Sequence, residues 1–531
     1  MEGRRFDAVV VGAGFAGLYM LHRLRRAGLS VRVLERADGV GGTWYWNRYP
    51  GARCDVESVE YSFSFDEDLQ QDWEWSERYA GQPEILRYLN HVADRFDLWR
   101  DIDLRIAVTA ARFDEASDEW AVETSGGPVT ARYLIMATGC LSSANVPDIA
   151  GLSSFEGQVL HTGQWPREGV DFSGQRVGVI GTGSSGIQAI PIIARVAADL
   201  TVFQRTAAYT VPARNRPLEP DELRNVKARY SDLRAANRLL AGGFGSRSRA
   251  GTTSALEVDP DARHAAYEER WQQGGFTFLG AFTDLILNRD ANETAAEFVR
   301  AKIRATVDDP TTVEMLMPSQ VIGCKRLCLD SGYYETFNRP NVHLVDLRRT
   351  PIERVTRTGI RTTEGEHRLD TVVLATGFDA MTGSLLRVDI HGRDGLALRE
   401  AWAAGPRTYL GLGVPGFPNL FVVTGPGSPS VLTNMVVSIE QHVEWIAECI
   451  ERLRADGYTR IEATEDAADR WVLYVNAVAD ATLFPTCNSW YLGANIPGKP
   501  RVFMPLPGFP PYAEQCRLIA ENGYEGFALG P

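Results

Sequence analysis

Two loops of the pattern Gly-x-Gly-x-x-Gly, Gly12/Gly14/Gly17 and Gly181/Gly183/Gly186, each follow a short apolar run and open a stretch with helical periodicity. One such loop is a weak signal. Two in strand, loop, helix settings predict an α/β chain with two Rossmann-like dinucleotide-binding domains, so that electrons can pass between two bound dinucleotides. Residues 8–11 (Ala-Val-Val-Val) suit a central parallel strand. Glycine at 12, 14 and 17 lets the backbone turn tightly and approach a pyrophosphate at a helix N-terminus, where free N–H groups and the dipole favour an anion. A second strand over 31–34 leads to Glu35, 23 residues after Gly12, where a carboxylate can accept hydrogen bonds from a ribose; an incidental surface acid is the alternative. At the second loop, strand 176–180 and a helix through Ile187, Ile190 and Ile193 repeat the unit. Its second strand, 200–203, is followed by Gln204 and Arg205, 24 residues after Gly181. A cation in place of an acid that would repel phosphate predicts NADP rather than NAD, unless Arg205 is only a surface charge.

A formal charge of −13 over 531 residues argues against nucleic acid and anionic membrane as main partners and leaves room for local basic pockets that hold phosphates. No apolar run approaches the roughly 20 residues of a membrane span, which makes the cytoplasm the expected location. The seven cysteines, 54, 140, 324, 328, 449, 487 and 516, are odd in number and scattered, and are expected to be reduced thiols. Cys324 and Cys328 are not spaced as a CxxC pair, so a disulfide reductase, which also uses two nucleotides, lacks its dithiol. The eight histidines form no HxxxH or His/Cys constellation, and no metal is expected.

Residues 133–139 and 370–377 are apolar strands that both end in Ala-Thr-Gly, at 137–139 and 375–377. If each closes a nucleotide unit, residues 1–140 and 379–531 form one domain and 141–378 the other. Within the second, about 218–310 reads as a helical insertion, with Asp290 and Glu293 at capping-box spacing before Ala295, Phe298, Val299 and Ile303 on one face. Residues 242–251 are the most linker-like stretch.

Residues 41–55 are crowded with aromatics and glycine, fit to wall a flat isoalloxazine ring, with Asp55 as a carboxylate for a cation; an aromatic cluster with Asp55 capping a turn is the plainer alternative. Between the glycine loops lies Phe155-x-Gly157-x-x-x-His161-x-x-x-Trp165-Pro166. This string resembles the fingerprint of the type I Baeyer–Villiger monooxygenases, class B flavoprotein monooxygenases, and the resemblance covers nearly the whole chain. It implies FAD in domain 1–140 and 379–531, NADPH in domain 141–378, and insertion of one atom of O2 beside a ketone carbonyl, giving an ester or lactone through a flavin C4a-peroxide.

By the same resemblance Arg326 is the catalytic arginine and Asp55 its carboxylate partner. Trp44, Tyr61, Val108 and Met435 join Gly12, Gly14, Gly17, Glu35 and Asp55 at FAD. Arg53, Thr182, Ser184, Ser185, Gln188, Thr206, Lys325, Arg326 and Trp490 join Gly181, Gly183, Gly186 and Arg205 at NADP, with Arg205, Thr206 and Lys325 on the 2′-phosphate. Ser430, Val431 and Leu432 would line a pocket for a hydrophobic, aryl or cyclic ketone. His161 would link domains rather than transfer protons. The residues alone leave Arg326 open as a structural cation and Trp490 as an ordinary core aromatic. Physics favours a permanent cation beside an anionic oxidant, and a carboxylate beside a buried cation. Two other readings stay open: a heteroatom (N or S) hydroxylase, separated by comparing ketone with thioether products, and a non-catalytic nucleotide sensor, separated by whether Arg326→Ala alters turnover. The oligomeric state and the physiological ketone are not legible.

Overall fold

The computed structural model describes residues 4–499 and 505–531. Its largest sheet runs Asp389–His391, Val108–Asp114, Glu119–Thr124, Val129–Met136, Arg4–Val11, Val31–Glu35, Ile102–Leu104, with Leu420–Val422 paired to Val129–Met136. Arg4–Val11 is parallel to both neighbours, and Ala8, Val9 and Val10 are fully buried between them, as a continuous apolar run requires. The second nucleotide unit is an all-parallel sheet in the order Val342–Asp346, Asp199–Gln204, Arg176–Ile180, Thr371–Leu374, Gln158–His161. The strands expected at 31–34 and 200–203 are present and slightly longer, taking in Glu35 and Gln204.

Each glycine loop is built against the Ala-Thr-Gly of its own sheet. Gly12 has φ +105° and Gly181 φ +109°. A Cβ would stand 2.7 Å from the Ala137 carbonyl oxygen in the first and 2.4 Å from that of Ala375 in the second. Gly17 and Gly186 sit under the turns, where a Cβ would strike the Gly12 or Gly181 carbonyl oxygen at 1.8 and 2.3 Å. Each Ala-Thr-Gly strand end thus forms the floor on which a glycine loop turns. Between them the chain crosses as two antiparallel segments, with Asn145 N–H donating to Gly377 O (2.9 Å) and Asp379 N–H to Ser143 O (2.8 Å).

The helical insertion comprises Pro220–Lys227, Tyr230–Arg238, Pro260–Gln273 and Arg289–Thr306, followed by Pro310–Leu316. Tyr267, Phe278 and Phe298 make its centre, with ring centroids 5.5–5.9 Å apart. Two sequence expectations need correction. The cap of Arg289–Thr306 is Asn288, whose side chain accepts from Asp290 and Ala291 N–H; Glu293 instead faces Arg300. Capping geometry needs the residue just outside the helix, and Asp290 is already inside it. Residues 242–251 are also not a free linker: Gly245 N–H donates to the Glu60 carboxylate (3.1 Å), Ser246 N–H to Asn237 Oδ1 (3.0 Å) and Gly251 N–H to Gly280 O (2.9 Å).

Glu60 is buried and also takes Asn237 Nδ2 at 3.1 Å, while its carbonyl accepts from Arg234 and Asn434. Burial, helped by Glu57, pushes its carboxyl up to about 7. A carboxyl raised on folding adds stability below the ordinary carboxylate range and loses it as pH rises through about 7. The melting temperature is therefore expected to fall between about pH 4.5 and 7 in the parent, to level off above that, and to stay flatter across the same window in Glu60→Gln, measured by thermal unfolding of the two proteins from about pH 4 to 8.

Candidate active site

Both glycine loops and both Ala-Thr-Gly ends open into one continuous cavity of about 1440 Å³. A pocket for a single small ligand measures roughly 300–1,000 Å³, so there is room for two. Fit to dinucleotides can be judged at the middle glycines. A Cβ on Gly183 would meet nothing within 4 Å, and one on Gly14 would meet only the backbone of Gly42 at 3.5 Å and beyond. These positions face space that a pyrophosphate can use, above the starts of helices Phe15–Arg26 and Ser184–Val196.

In the first unit, Glu35 is buried at the end of its strand, and its two carboxylate oxygens accept Ala13 N–H (2.8 Å) and Ala37 N–H (2.7 Å). It braces the phosphate turn and keeps lone pairs for a ribose. Trp44, Asp55, Tyr61, Val108 and Met435 all line the cavity, and Trp44 Nε1 donates to Tyr61 OH at 3.2 Å. In the second unit Thr182, Ser184, Ser185, Gln188, Arg205, Thr206 and Lys325 line it too. Thr182 Oγ1 donates to the Thr206 carbonyl (3.0 Å), which fixes the strand end beside Arg205. Burial pulls the Lys325 ammonium below its ordinary range, and the neighbouring Arg205 cation pulls it further. Two cations set together at a cavity wall suit a doubly charged phosphate.

Gln188 joins the two units. Its side chain accepts from Tyr49 OH (2.8 Å) and Arg53 N–H (3.4 Å) and donates to the Arg53 carbonyl (3.2 Å). The Arg53 side chain lines the cavity but spends its guanidinium on Glu77 (3.2 Å) and the Tyr79 carbonyl (2.8 Å).

Arg326 and Asp55 face the cavity where the two halves meet. Arg326 Nε donates to Asp55 Oδ2 (3.0 Å) and its Nη2 to Oδ1 (2.8 Å), while Nη1 donates to the Val431 carbonyl (2.6 Å). Its carbon centre lies 4.8 Å from the Phe276 ring centroid. Burial opposes its charge, yet Asp55 and Tyr491 together hold the guanidinium above the usual arginine range. The result is a permanent, oriented cation. Phe276, Tyr491 and the Val431 carbonyl are not foreshadowed by the sequence; Tyr491, next to Trp490, is the one that adjacency to a candidate residue could have found.

The loop at 430–432, the third glycines and the cysteines complete the candidate residues, and the cysteines correct an expectation. Ser430 is fully buried, with its hydroxyl donating to the Thr424 carbonyl (3.3 Å), Leu432 is partly buried against the apolar cluster that holds Val431 and Tyr491, and Val431 lines the cavity. The turn Ser430–Leu432 is a single 3-10 turn, and one turn presents one side chain to one face. Gly17 and Gly186 lie beneath their loops rather than on the cavity wall. The cysteines are not all thiols: Cys324 and Cys487 are joined in a disulfide, with Cα atoms 6.1 Å apart across 163 residues of sequence. The other five are free and buried.

None of the fingerprint residues lines the cavity, and His161 is the one that reaches the crossing. His161 is buried, accepts Gly163 N–H at Nδ1 (2.9 Å), and its Nε2 faces the Asn145 carbonyl (3.3 Å) and Thr376 Oγ1 (3.4 Å). Burial lowers its pKa, which keeps it neutral and able to donate from Nε2. Trp165 is buried and its backbone N–H donates to the Trp46 carbonyl (3.3 Å), with Pro166 next in the chain. Gly157 is held against the Asp370 carbonyl and the Phe155 ring, where a Cβ would come within 2.2 and 2.6 Å.

Residues 9–237 match the family model described as pyridine nucleotide-disulphide oxidoreductase. The chain is 44% identical to a Baeyer–Villiger monooxygenase of Pseudooceanicola batsensis over 98% of this chain and 96% of that one. The chain belongs to the Baeyer–Villiger monooxygenase family. It is also 44% identical to the acetone monooxygenase (methyl acetate-forming) of a Gordonia species, with 100% of each covered. Among solved structures it is similar to an oxidized steroid monooxygenase bound to NADP, with TM-score 0.94, 55% identity and 99% of each chain covered. The family model's description speaks of disulphide chemistry, but the matched residues 9–237 contain neither cysteine of the disulfide. The disulfide itself is not a CxxC pair.

Proposed function

We propose that this chain holds FAD and uses NADPH and O2 to oxidise hydrophobic, aryl or cyclic ketones to esters or lactones in the cytoplasm. The observation that carries this reading is the Arg326–Asp55 pair, placed on the wall of a cavity shared by two phosphate loops. The net reaction is ketone plus O2, NADPH and a proton giving ester, NADP+ and water. FAD, when bound, accepts the hydride of NADPH and passes its electrons to O2.

Gly12, Gly14 and Glu35 would take the pyrophosphate and ribose of FAD, with Trp44, Tyr61, Val108 and Met435 around its rings. Gly181, Gly183, Thr182, Ser184, Ser185 and Gln188 would take NADP, with Trp490 on its nicotinamide side. Arg326 supplies positive charge where the ketone oxygen becomes negative as its carbon turns tetrahedral. A fixed donor in a site closed to water acts there without reorganising. Asp55 holds the guanidinium plane by two prongs and offsets the cost of burying it. Phe276 and the Val431 carbonyl cover part of the same guanidinium and leave the rest facing the cavity. The apolar lining near Val431, Met435 and Trp490 favours a hydrophobic ketone.

The test is NADPH consumption by the FAD-loaded protein with and without aryl and cyclic ketones, with mass spectrometry of the products. Products one oxygen heavier and identified as esters are expected. Hydrogen peroxide alone across the panel, or a thioether oxygenated while every ketone is left untouched, would overturn the reading.

The 2′-phosphate assignment makes a separate prediction. Arg205→Ala or Lys325→Ala should raise KM for NADPH about 10–100-fold, the size of one charged hydrogen bond, and leave KM for NADH within a factor of about 2. Because the pKa of Lys325 is lowered, its proton is lost at a lower pH than from an ordinary lysine. KM for NADPH should therefore climb with pH before the ordinary lysine range is reached, while that for NADH stays level. Lys325→Arg should abolish the climb. Steady-state kinetics with both donors across pH decides it; equal pH dependence for both donors would remove Lys325 from the phosphate site.

A further inference from the structure

The Cys324–Cys487 disulfide has no part in the roles above, yet it joins two segments that both reach the cavity. Cys324 is buried and directly precedes Lys325 and Arg326. Cys487 is partly exposed and opens the stretch that brings Asn488, Trp490, Ala494 and Asn495 to the cavity wall. At its ends that stretch is held by hydrogen bonds: Leu483 N–H to the Ile286 carbonyl (2.8 Å), Asn495 Nδ2 to the Phe378 carbonyl (2.7 Å), and Lys499 Nζ to Asp379 and the Ala380 carbonyl. The covalent link falls between those anchors and ties the Trp490 side directly to the Lys325–Arg326 side.

We infer that Cys324 and Cys487 are a reversible modification site, a dithiol–disulfide pair that locks the Trp490 segment onto the Lys325–Arg326 segment when oxidised and frees it when reduced. The inference rests on the roles given above to Lys325, Arg326 and Trp490. In a chain placed in the cytoplasm a disulfide is more often of the transient, redox-sensing kind than a permanent staple. The exposure difference sets the chemistry. An external dithiol reaches the Cys487 sulfur, forms a mixed disulfide there and expels Cys324 as a thiolate, which takes up a proton. The second thiol of the reductant then displaces Cys487, so that two protein thiols and one cyclic disulfide result. For oxidation, the Cys487 thiol attacks hydrogen peroxide to give a sulfenic acid and water, and Cys324 displaces a second water to close the bond; two thiols and one peroxide become one disulfide and two waters. Hydrogen peroxide is the two-electron product of O2 and NADPH when no ketone is present, so the oxidant can arise at the site itself. The remaining five cysteines are buried and burial raises each thiol's pKa, which confines ready exchange to this pair.

The test uses the FAD-loaded full chain treated with hydrogen peroxide or with dithiothreitol, each reagent then removed. Alkylation under denaturing, non-reducing conditions and intact mass should show five modified cysteines after peroxide, matching the five free ones, and seven after dithiothreitol. Hydrogen exchange over residues 484–499 should speed up about 10-fold on reduction. Affinity for NADP+ should weaken about 3–10-fold with it, as linkage to an opened segment requires. Cys487→Ser should resemble the reduced protein under both treatments. Seven modified cysteines after peroxide, or exchange and NADP+ affinity unmoved by reduction, would overturn the inference. If thiol count, exchange and NADP+ affinity respond as expected but no ketone is converted, the lock stands and the ketone reading falls. Ester formation with an inert cysteine pair means the reverse, with the ketone reading standing and the lock lost.

Discussion

Arg326→Ala in the FAD-loaded protein is expected to lower ester formation about 10²–10³-fold, the cost of removing one preorganised donor from a developing oxyanion. Flavin content should not change, because Arg326 makes its hydrogen bonds to Asp55 and Val431 and none to the glycine loop of the first unit. Arg326→Lys should rescue little. A lysine cannot give Asp55 two parallel N–H donors and reach the Val431 carbonyl at once. Asp55→Asn should fall between parent and Arg326→Ala, since the cation remains but loses its orienting partner. The measurement is ester formed per enzyme, alongside flavin absorbance and NADPH consumed. If Arg326→Ala stays within about threefold of the parent, well short of a lost oxyanion donor, the cation is not beside the reacting carbonyl.

Gly181→Ala is the other change with a large expected effect. At φ +109°, a methyl group would lie 2.4 Å from the Ala375 carbonyl oxygen, so either the loop or the Ala-Thr-Gly strand end must move. Strained backbone of this kind costs about 1–3 kcal/mol. With the loss of phosphate geometry added, KM for NADPH should rise at least about 10-fold while bound flavin is retained. Gly12→Ala, at 2.7 Å from the Ala137 carbonyl, should do the reverse and yield protein purified without flavin. Gly183→Ala separates fold from ligand: its Cβ meets no protein atom within 4 Å, so thermal stability should hold while NADPH affinity drops. Unchanged NADPH affinity in both Gly181→Ala and Gly183→Ala would remove the second loop from the nucleotide site.

What the sequence made legible was local. The apolar strands, the two glycine loops, Glu35 and the repeated Ala-Thr-Gly are written in runs of a few residues, where backbone conformation and side-chain size leave few alternatives. The pairing of Asp55 with Arg326 spans 271 residues and entered only through family resemblance. The Val431 carbonyl on Arg326 has no residue signature at all, because every residue carries that group. Phe276 reaches the guanidinium from the helical insertion, and nothing in the insertion's own periodicity marks one aromatic as facing outward. The disulfide stayed hidden for a related reason: pairing depends on where two cysteines arrive in space, and 163 residues separate this pair along the chain. Which of Ser430, Val431 and Leu432 turns to the cavity was not legible either, since side-chain direction in a single turn is set by its neighbours.

The Gln188 clasp carries one more consequence. The helix that begins at the second phosphate loop grips the backbone of Arg53 and the hydroxyl of Tyr49, and Gly51 is packed so tightly on it that a Cβ would lie 2.5 Å from the Gln188 carbonyl oxygen. The two nucleotide sites therefore share a wall that neither can shift alone. Binding energies joined through such a wall obey reciprocity: whatever factor one occupant applies to the affinity of the other is returned in equal measure. A substitution at Gln188, remote from any reacting atom, should weaken that exchange between the two occupants while each still binds by itself.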